Sequence, residues 1–168
     1  MRTLKFLVLA AAVAVSLHAK APTKMTPEMK TLKAEMMKNW KAHGAAAHKV
    51  TKGMTDQELI KWMKDDKDFI LLDVREPDEV AIGTIASIDF MAIPRGMVAP
   101  MVGKAAKLNP KDTIVIYCKK GIRSAFVARE LEEYYGFKNV YYLKGGITGW
   151  VKNGHEMHTP LGEFVIAK

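Results

Sequence analysis

The sequence predicts an α/β fold: one domain with a central, mostly parallel sheet and helices on both faces. Three observations predict it. Short apolar strand-like runs alternate with helix-like segments from Val50 to Lys152, the pattern of a sheet built from crossover units. Two of those runs, Phe69–Asp73 and Thr113–Tyr117, are apolar at consecutive positions, as strands covered on both faces are. The 168 residues suffice for one sizeable core, and no repeat or low-complexity array interrupts them.

The N-terminal region divides in two. Arg2 and Lys5 precede the apolar run Phe6–Leu17, and Leu17-His18-Ala19 offers a cleavage point after Ala19. That run is too short to span a bilayer. An exported, periplasmic product with no stable membrane insertion is expected; an uncleaved anchor is the alternative. The expected organisation is a leader over 1–19, a helical extension over 20–48, an α/β domain over 49–153 and a tail over 154–168. Thr26-Pro27-Glu28 starts the extension's helix, with proline at the first helical position. Met29, Leu32, Met36, Met37 and Trp40 give it a broken apolar stripe. His43-Gly44-Ala45-Ala46-Ala47-His48 reads as a turn-like joint. Methionines and histidines in an exported chain invite a copper reading, but they form no tight ligand cluster. Apolar helix packing is the better account, and no metal site is expected.

Within the α/β domain, Val50 is read as part of a short first strand. Thr55-Asp56-Gln57-Glu58 is a capping box opening a helix through Lys64, with Leu59, Ile60 and Met63 as its apolar face. Asp73 ends the next strand and Arg75 follows it, close enough to brace the neighbouring loops through paired hydrogen bonds. Met97–Leu108 reads as a helix made irregular by Pro100 and Gly103, and Asn109–Asp112 as a turn. After the strand Thr113–Tyr117, Ser124 is read as an N-cap of a helix over Ala125–Tyr135. Gly136 stops that helix. Val140–Leu143 is the next strand, Lys144-Gly145-Gly146 a tight turn, and Ile147–Lys152 a short helix with Trp150 in the core. The Gly145-Gly146 backbone can approach the loop after Thr113–Tyr117, because both lie at carboxyl ends of strands. His155 and His158 read as surface residues or, alternatively, as a weak metal site.

The chemistry concentrates at Cys118, the single cysteine of the chain. It stands at the end of the central strand, in the loop Cys118-Lys119-Lys120-Gly121-Ile122-Arg123-Ser124 that feeds a helix N-terminus. Free amides and the dipole of a helix start stabilise an anion. Lys119, Lys120 and Arg123 add full positive charges, and such surroundings favour the thiolate. Gly121 allows a positive φ, so that several N–H groups can turn inward as a nest. A buried, inert cysteine is the bland alternative. One cysteine cannot form an internal disulfide, and an unpaired thiol in an exported protein points to reactivity.

These residues resemble the rhodanese (sulfurtransferase) domain family. The Cys118–Ser124 loop is similar to the family's Cys-x-x-Gly-x-Arg-Ser loop. Asp73-Val74-Arg75-Glu76 resembles its Asp-Val-Arg-Glu segment. Ile93-Pro94 and Gly145-Gly146-Ile147-x-x-Trp150 fall in the family's order. The resemblance covers roughly Lys49–Lys152, and it implies a single rhodanese-like domain. One departure stands out: Thr84 replaces the family's histidine, and about two extra residues precede Ile93-Pro94. The resemblance implies that Asp73 and Arg75 are mainly structural.

The resemblance also implies sulfurtransferase chemistry. Cys118 would take sulfane sulfur from thiosulfate or a related small anionic donor as a persulfide, then pass it to cyanide, a thiol or a protein partner. Lys119, Lys120 and Arg123 would bind the donor, and amides of Gly121, Ile122, Arg123 and Ser124 would cradle the sulfur. No cofactor is needed. Two other readings stand beside it. A cysteine phosphatase or arsenate-reducing relative also uses a thiolate in an anion cradle. However, four residues separate Cys118 from Arg123, where the related phosphatase loops have five. A sulfur carrier would hold persulfide for a partner with little turnover. The formal net charge of +8 suits anions. Expected export argues against nucleic acid.

Overall fold

The computed structural model describes residues 24–102 and 108–165. The expected leader lies outside them, as does part of the expected Met97–Leu108 helix.

Packing divides the chain between Met36 and Met37, within helix α1 (Pro27–Val50). In the first unit, Thr26 Oγ1 accepts a bond from the Met29 amide at 3.2 Å, and Met29, Leu32 and Met36 are exposed. In the second unit, the helix runs unbroken through His43–His48, so the expected joint is a correction. Gly44 and Ala47 are buried, and a Cβ on Gly44 would stand 2.8 Å from Ile122 Cγ2. The small residues that look like a flexible stretch are there for close approach. Val50 closes α1, and the first strand begins two residues later.

The sheet has five strands: β1 (Lys52–Met54), β2 (Ile70–Asp73), β3 (Phe90–Ala92), β4 (Thr113–Tyr117) and β5 (Asn139–Leu143). Their order is β1-β5-β4-β2-β3, and every pairing is parallel. The connecting helices are α2 (Asp56–Lys64), α3 (Pro77–Ile82), α4 (Arg95–Met101), α5 (Ile122–Tyr134) and α6 (Gly146–Lys152). Thr55 caps α2 with the expected reciprocal capping box. The stretch expected as a tail carries an antiparallel hairpin, β6 (Met157–Thr159) and β7 (Gly162–Phe164). His158 and Thr84 exchange backbone bonds of 2.8 Å each. Thus the residue that replaces the family histidine anchors this hairpin.

The two-residue period of β4 splits the core between the faces of the sheet. Ile114, Ile116 and Cys118 join a cluster with Leu72, Val98, Phe126 and Leu131, on the side of α4 and α5. Val115 and Tyr117 join Leu59, Leu71, Leu143 and Trp150, on the side of α2 and α6. Each large apolar side chain buried here contributes about 1.5–3 kcal/mol. Because every strand is parallel, the loops leaving β2, β3, β4 and β5 share one edge. Cys118 lies on that edge, directly after the central strand.

Candidate active site

The loop after β4 owes its shape to glycines. Gly121 takes φ 93° and caps α5, which begins at Ile122. The helix therefore starts earlier than the expected Ala125, and Ser124 sits inside its first turn, not at its cap. The Ser124 hydroxyl points back and lies 3.0 Å from the Gly121 carbonyl oxygen. The turn after β5 closes on the same loop. The Ile147 amide donates to the Cys118 carbonyl at 2.9 Å, and the Thr148 amide to the Lys119 carbonyl at 3.1 Å. A Cβ on Gly146 would fall 2.2 Å from the Cys118 carbonyl oxygen, so no other residue fits this seam. The approach of Gly145-Gly146 to the cysteine loop is as the sequence predicts.

Cys118 is almost wholly buried, at 1% exposure. It is not enclosed by hydrocarbon alone. The Gly121 amide donates to Sγ at 3.1 Å, and the Ser124 hydroxyl lies 3.6 Å from it. The first amides of α5, from Ile122 on, have no partner within the helix, and the helix starts one residue after the Gly121 amide that meets the sulfur. The arrangement can hold a negative charge on sulfur.

The cations around the loop take different positions. Lys119 and Lys120 are exposed, and among the described residues neither forms an ion pair. Arg123 is half-buried and bound on both prongs by Glu79: Nη1 donates to Oε2 at 2.6 Å and Nη2 to Oε1 at 2.8 Å. Hydrogen bonding to Arg123 holds the Glu79 carboxyl at about 2, well below its ordinary value. The pair in turn raises Arg123, with a smaller contribution from the nearby Cys118 sulfur. Ile122 is half-buried, its side chain against Gly44. Asp73 and Arg75 are buried together, at 0% and 5% exposure. Arg75 Nε donates to both Asp73 oxygens at 3.0 and 2.9 Å. Its remaining nitrogens reach the carbonyls of Glu79 at 2.8 Å and Gly83 at 2.7 Å. This pair braces the loops beside the site, as expected.

Sequence reasoning missed Glu79, which lies 44 positions from its partner. Arg95 opens α4, shortly after β3. The Arg95 guanidinium lies over the Trp40 and Phe126 rings, 5.3 and 5.1 Å from their centroids. It lines, with Glu76, Gly96, Ala99, Arg123 and Glu130, a cleft of about 380 Å³ beside the loop. A larger cleft of about 590 Å³ lies at the amino ends of β2 and β3, lined by Met63, Phe69, Ile88 and Asp89 among others. It is at the opposite edge of the sheet from Cys118. His155 Nε2 pairs with Asp56 at 2.7 Å, and Asn153 donates to the same oxygen at 2.8 Å. Burial works against the Asp56 charge, but these two partners outweigh it and lower its pKa. Among the described residues no group of side chains forms a metal site.

A family model described as a rhodanese-like domain matches residues 55–153. The probable adenylyltransferase/sulfurtransferase MoeZ of Mycobacterium tuberculosis is 35% identical over 99 residues, 59% of this chain and 24% of that protein. The chain thus spans about a quarter of that relative's length. A sulfurtransferase of Allochromatium vinosum is 32% identical over 107 residues, 63% of this chain and 94% of that one. Among solved structures, the polysulfide-sulfur transferase homodimer of Wolinella succinogenes is similar, with a TM-score of 0.61 and 29% identity. That match covers 74% of this chain and 90% of that one.

Proposed function

The chain belongs to the rhodanese-like domain family, and on that footing we propose that it moves sulfane sulfur from a small anionic donor, such as thiosulfate, to a thiophilic acceptor. The observation that carries this reading is the Cys118 sulfur facing the Gly121 amide at the start of α5. The Cys118 thiolate attacks the outer sulfur of thiosulfate. A new S–S bond forms, the donor's S–S bond breaks, and its electron pair leaves with sulfite. Cyanide or a thiolate then attacks the outer sulfur of the Cys118 persulfide and returns the thiolate. Two displacements through one covalent intermediate give ping-pong kinetics.

The amides of the loop stabilise the persulfide charge. Lys119 and Lys120 draw the donor anion towards the site, and Arg123 holds it once Glu79 yields. The apolar leader-like run after Arg2 and Lys5 supports an exported, periplasmic location. A sulfur carrier for a protein partner is the second reading, and the exposed Met29, Leu32 and Met36 on a lysine-bearing helix favour it. The phosphatase reading is weaker, because the loop is one residue short for a phosphate.

Cys118→Ser tests the assignment. Thiocyanate formation from thiosulfate and cyanide is expected to vanish, as is the mass gain of one sulfur atom on the intact protein. The melting temperature is expected to stay near that of the wild type. Retained thiocyanate formation would remove Cys118 from the mechanism.

A further inference from the structure

Helix α1 lies outside the residues matched to the family model, 55–153, yet its last turns touch the sulfur-bearing loop. His48 is half-buried and stacks on Tyr142, with ring centroids 4.7 Å apart and planes 6° from parallel. Tyr142 is itself 4% exposed. It is confined from another side by Gly53, where a Cβ would meet the Tyr142 hydroxyl oxygen at 2.8 Å. The imidazole is thereby held on a fixed platform. From there His48 Nε2 lies 3.3 Å from the Gly121 carbonyl oxygen. A carbonyl can only accept, so Nε2 carries the proton and donates it.

The Gly121 carbonyl has competing donors. The Ala125 amide reaches it at 3.1 Å and the Ser124 hydroxyl at 3.0 Å. The same hydroxyl lies 3.6 Å from Cys118 Sγ. Ser124 has one hydroxyl hydrogen and two acceptors within reach. Whatever else fills the Gly121 carbonyl lowers the cost of turning that hydrogen to sulfur.

We propose that His48 is a positioning residue for sulfur transfer: by donating to the Gly121 carbonyl it frees the Ser124 hydroxyl to bond the Cys118 sulfur. The inference rests on the reading of Cys118 as nucleophile. It extends the working site beyond the family domain, to a helix that the sequence pattern separates from it. Gly44 and Ala47 are the small residues that bring α1 close enough for His48 to reach.

The test is the rate at which Cys118 is alkylated by iodoacetamide at fixed pH, with the rate of sulfur loading from thiosulfate measured alongside. His48→Phe keeps a ring on Tyr142 and loses the donor. It is expected to slow both rates about fivefold, the worth of roughly one hydrogen bond. His48→Gln keeps a donor and is expected to stay within about twofold of wild type. In a Ser124→Ala background, His48→Phe is expected to add no further loss, since its effect runs through that hydroxyl. If His48→Phe fails to fold, His48→Asn, whose amide is too short to reach the carbonyl, must show the same slowing. Wild-type rates in His48→Phe and His48→Asn, a loss in His48→Gln as large as in His48→Phe, or a loss that multiplies with Ser124→Ala, would overturn the role of His48. A wild-type protein that takes up neither reagent on Cys118 would overturn the nucleophile and His48 together.

Discussion

Two arginine–carboxylate pairs stand beside the same loop, Asp73–Arg75 and Glu79–Arg123, and they differ in depth. Asp73 and Arg75 are buried, at 0% and 5% exposure. Every polar atom of the Arg75 head is spent on Asp73 or on a backbone carbonyl. Glu79 and Arg123 are each about one-fifth exposed. A buried pair cannot be opened without stranding a charge in low dielectric. A pair at the rim can exchange one partner for an anion from solvent at small cost. The first is thus part of the frame, and the second can take part in the chemistry. The two pairs also meet: Arg75 holds the Glu79 backbone carbonyl, so the frame sets where the exchangeable carboxylate stands.

Breaking the buried pair should give the largest effect. Asp73→Ala leaves the Arg75 guanidinium without its counter-charge and is expected to cost about 3–5 kcal/mol in urea unfolding. A loss under about 1 kcal/mol would mean that water reaches Arg75 and that the contrast with the rim pair is false. The second effect is on kinetics. Glu79→Gln removes the competitor for Arg123 and is expected to lower the thiosulfate KM by about threefold, at a stability cost of about 1 kcal/mol or less. A raised KM would show that Glu79 orients Arg123 for the donor and does not compete with it.

The smallest effect is on stability against pH. The Glu79 carboxyl falls from an ordinary 4.5 to about 2 in the folded chain. A group lowered by folding stabilises the fold fully above its unfolded value and loses that contribution as pH falls through the folded one. The Arg123 pair should therefore support stability above about pH 4.5 and fade towards pH 2. Comparison of wild type with Glu79→Gln by thermal melting across that window should show the two curves converging at the acid end. Parallel curves would place the acid loss elsewhere.

What could be read from the sequence was what lies close together along the chain. The strand Thr113–Tyr117, the thiol at its end and the Gly121 turn are contiguous, and the structure places them as the sequence predicts. The Asp73–Arg75 brace spans two positions and was legible for the same reason. Glu79 gave no such signal, because its partner lies in another crossover unit and only the fold brings them together. The start of α5 was misread because Ser124 has the composition of a cap, whereas the positive φ of Gly121 makes the cap three residues earlier. The run from His43 to His48 was misread because glycine and alanine serve both flexible joints and tight helix contacts. Only the neighbour, here Ile122, distinguishes the two. The hairpin after α6 escaped notice because its strands are three residues each, too short to show a period.

The Gly146 seam carries a final consequence. With the next turn seated on the Cys118 carbonyl, the main chain there would have no slack to retreat if Cys118 took up a second sulfur atom as proposed. On the proposed sulfur-transfer route, the added atom would then have to find its room on the side-chain side of the loop and leave by the direction from which it came. Donor and acceptor would then use one doorway in turn. An acceptor too bulky for that doorway would be refused, however willing its own chemistry.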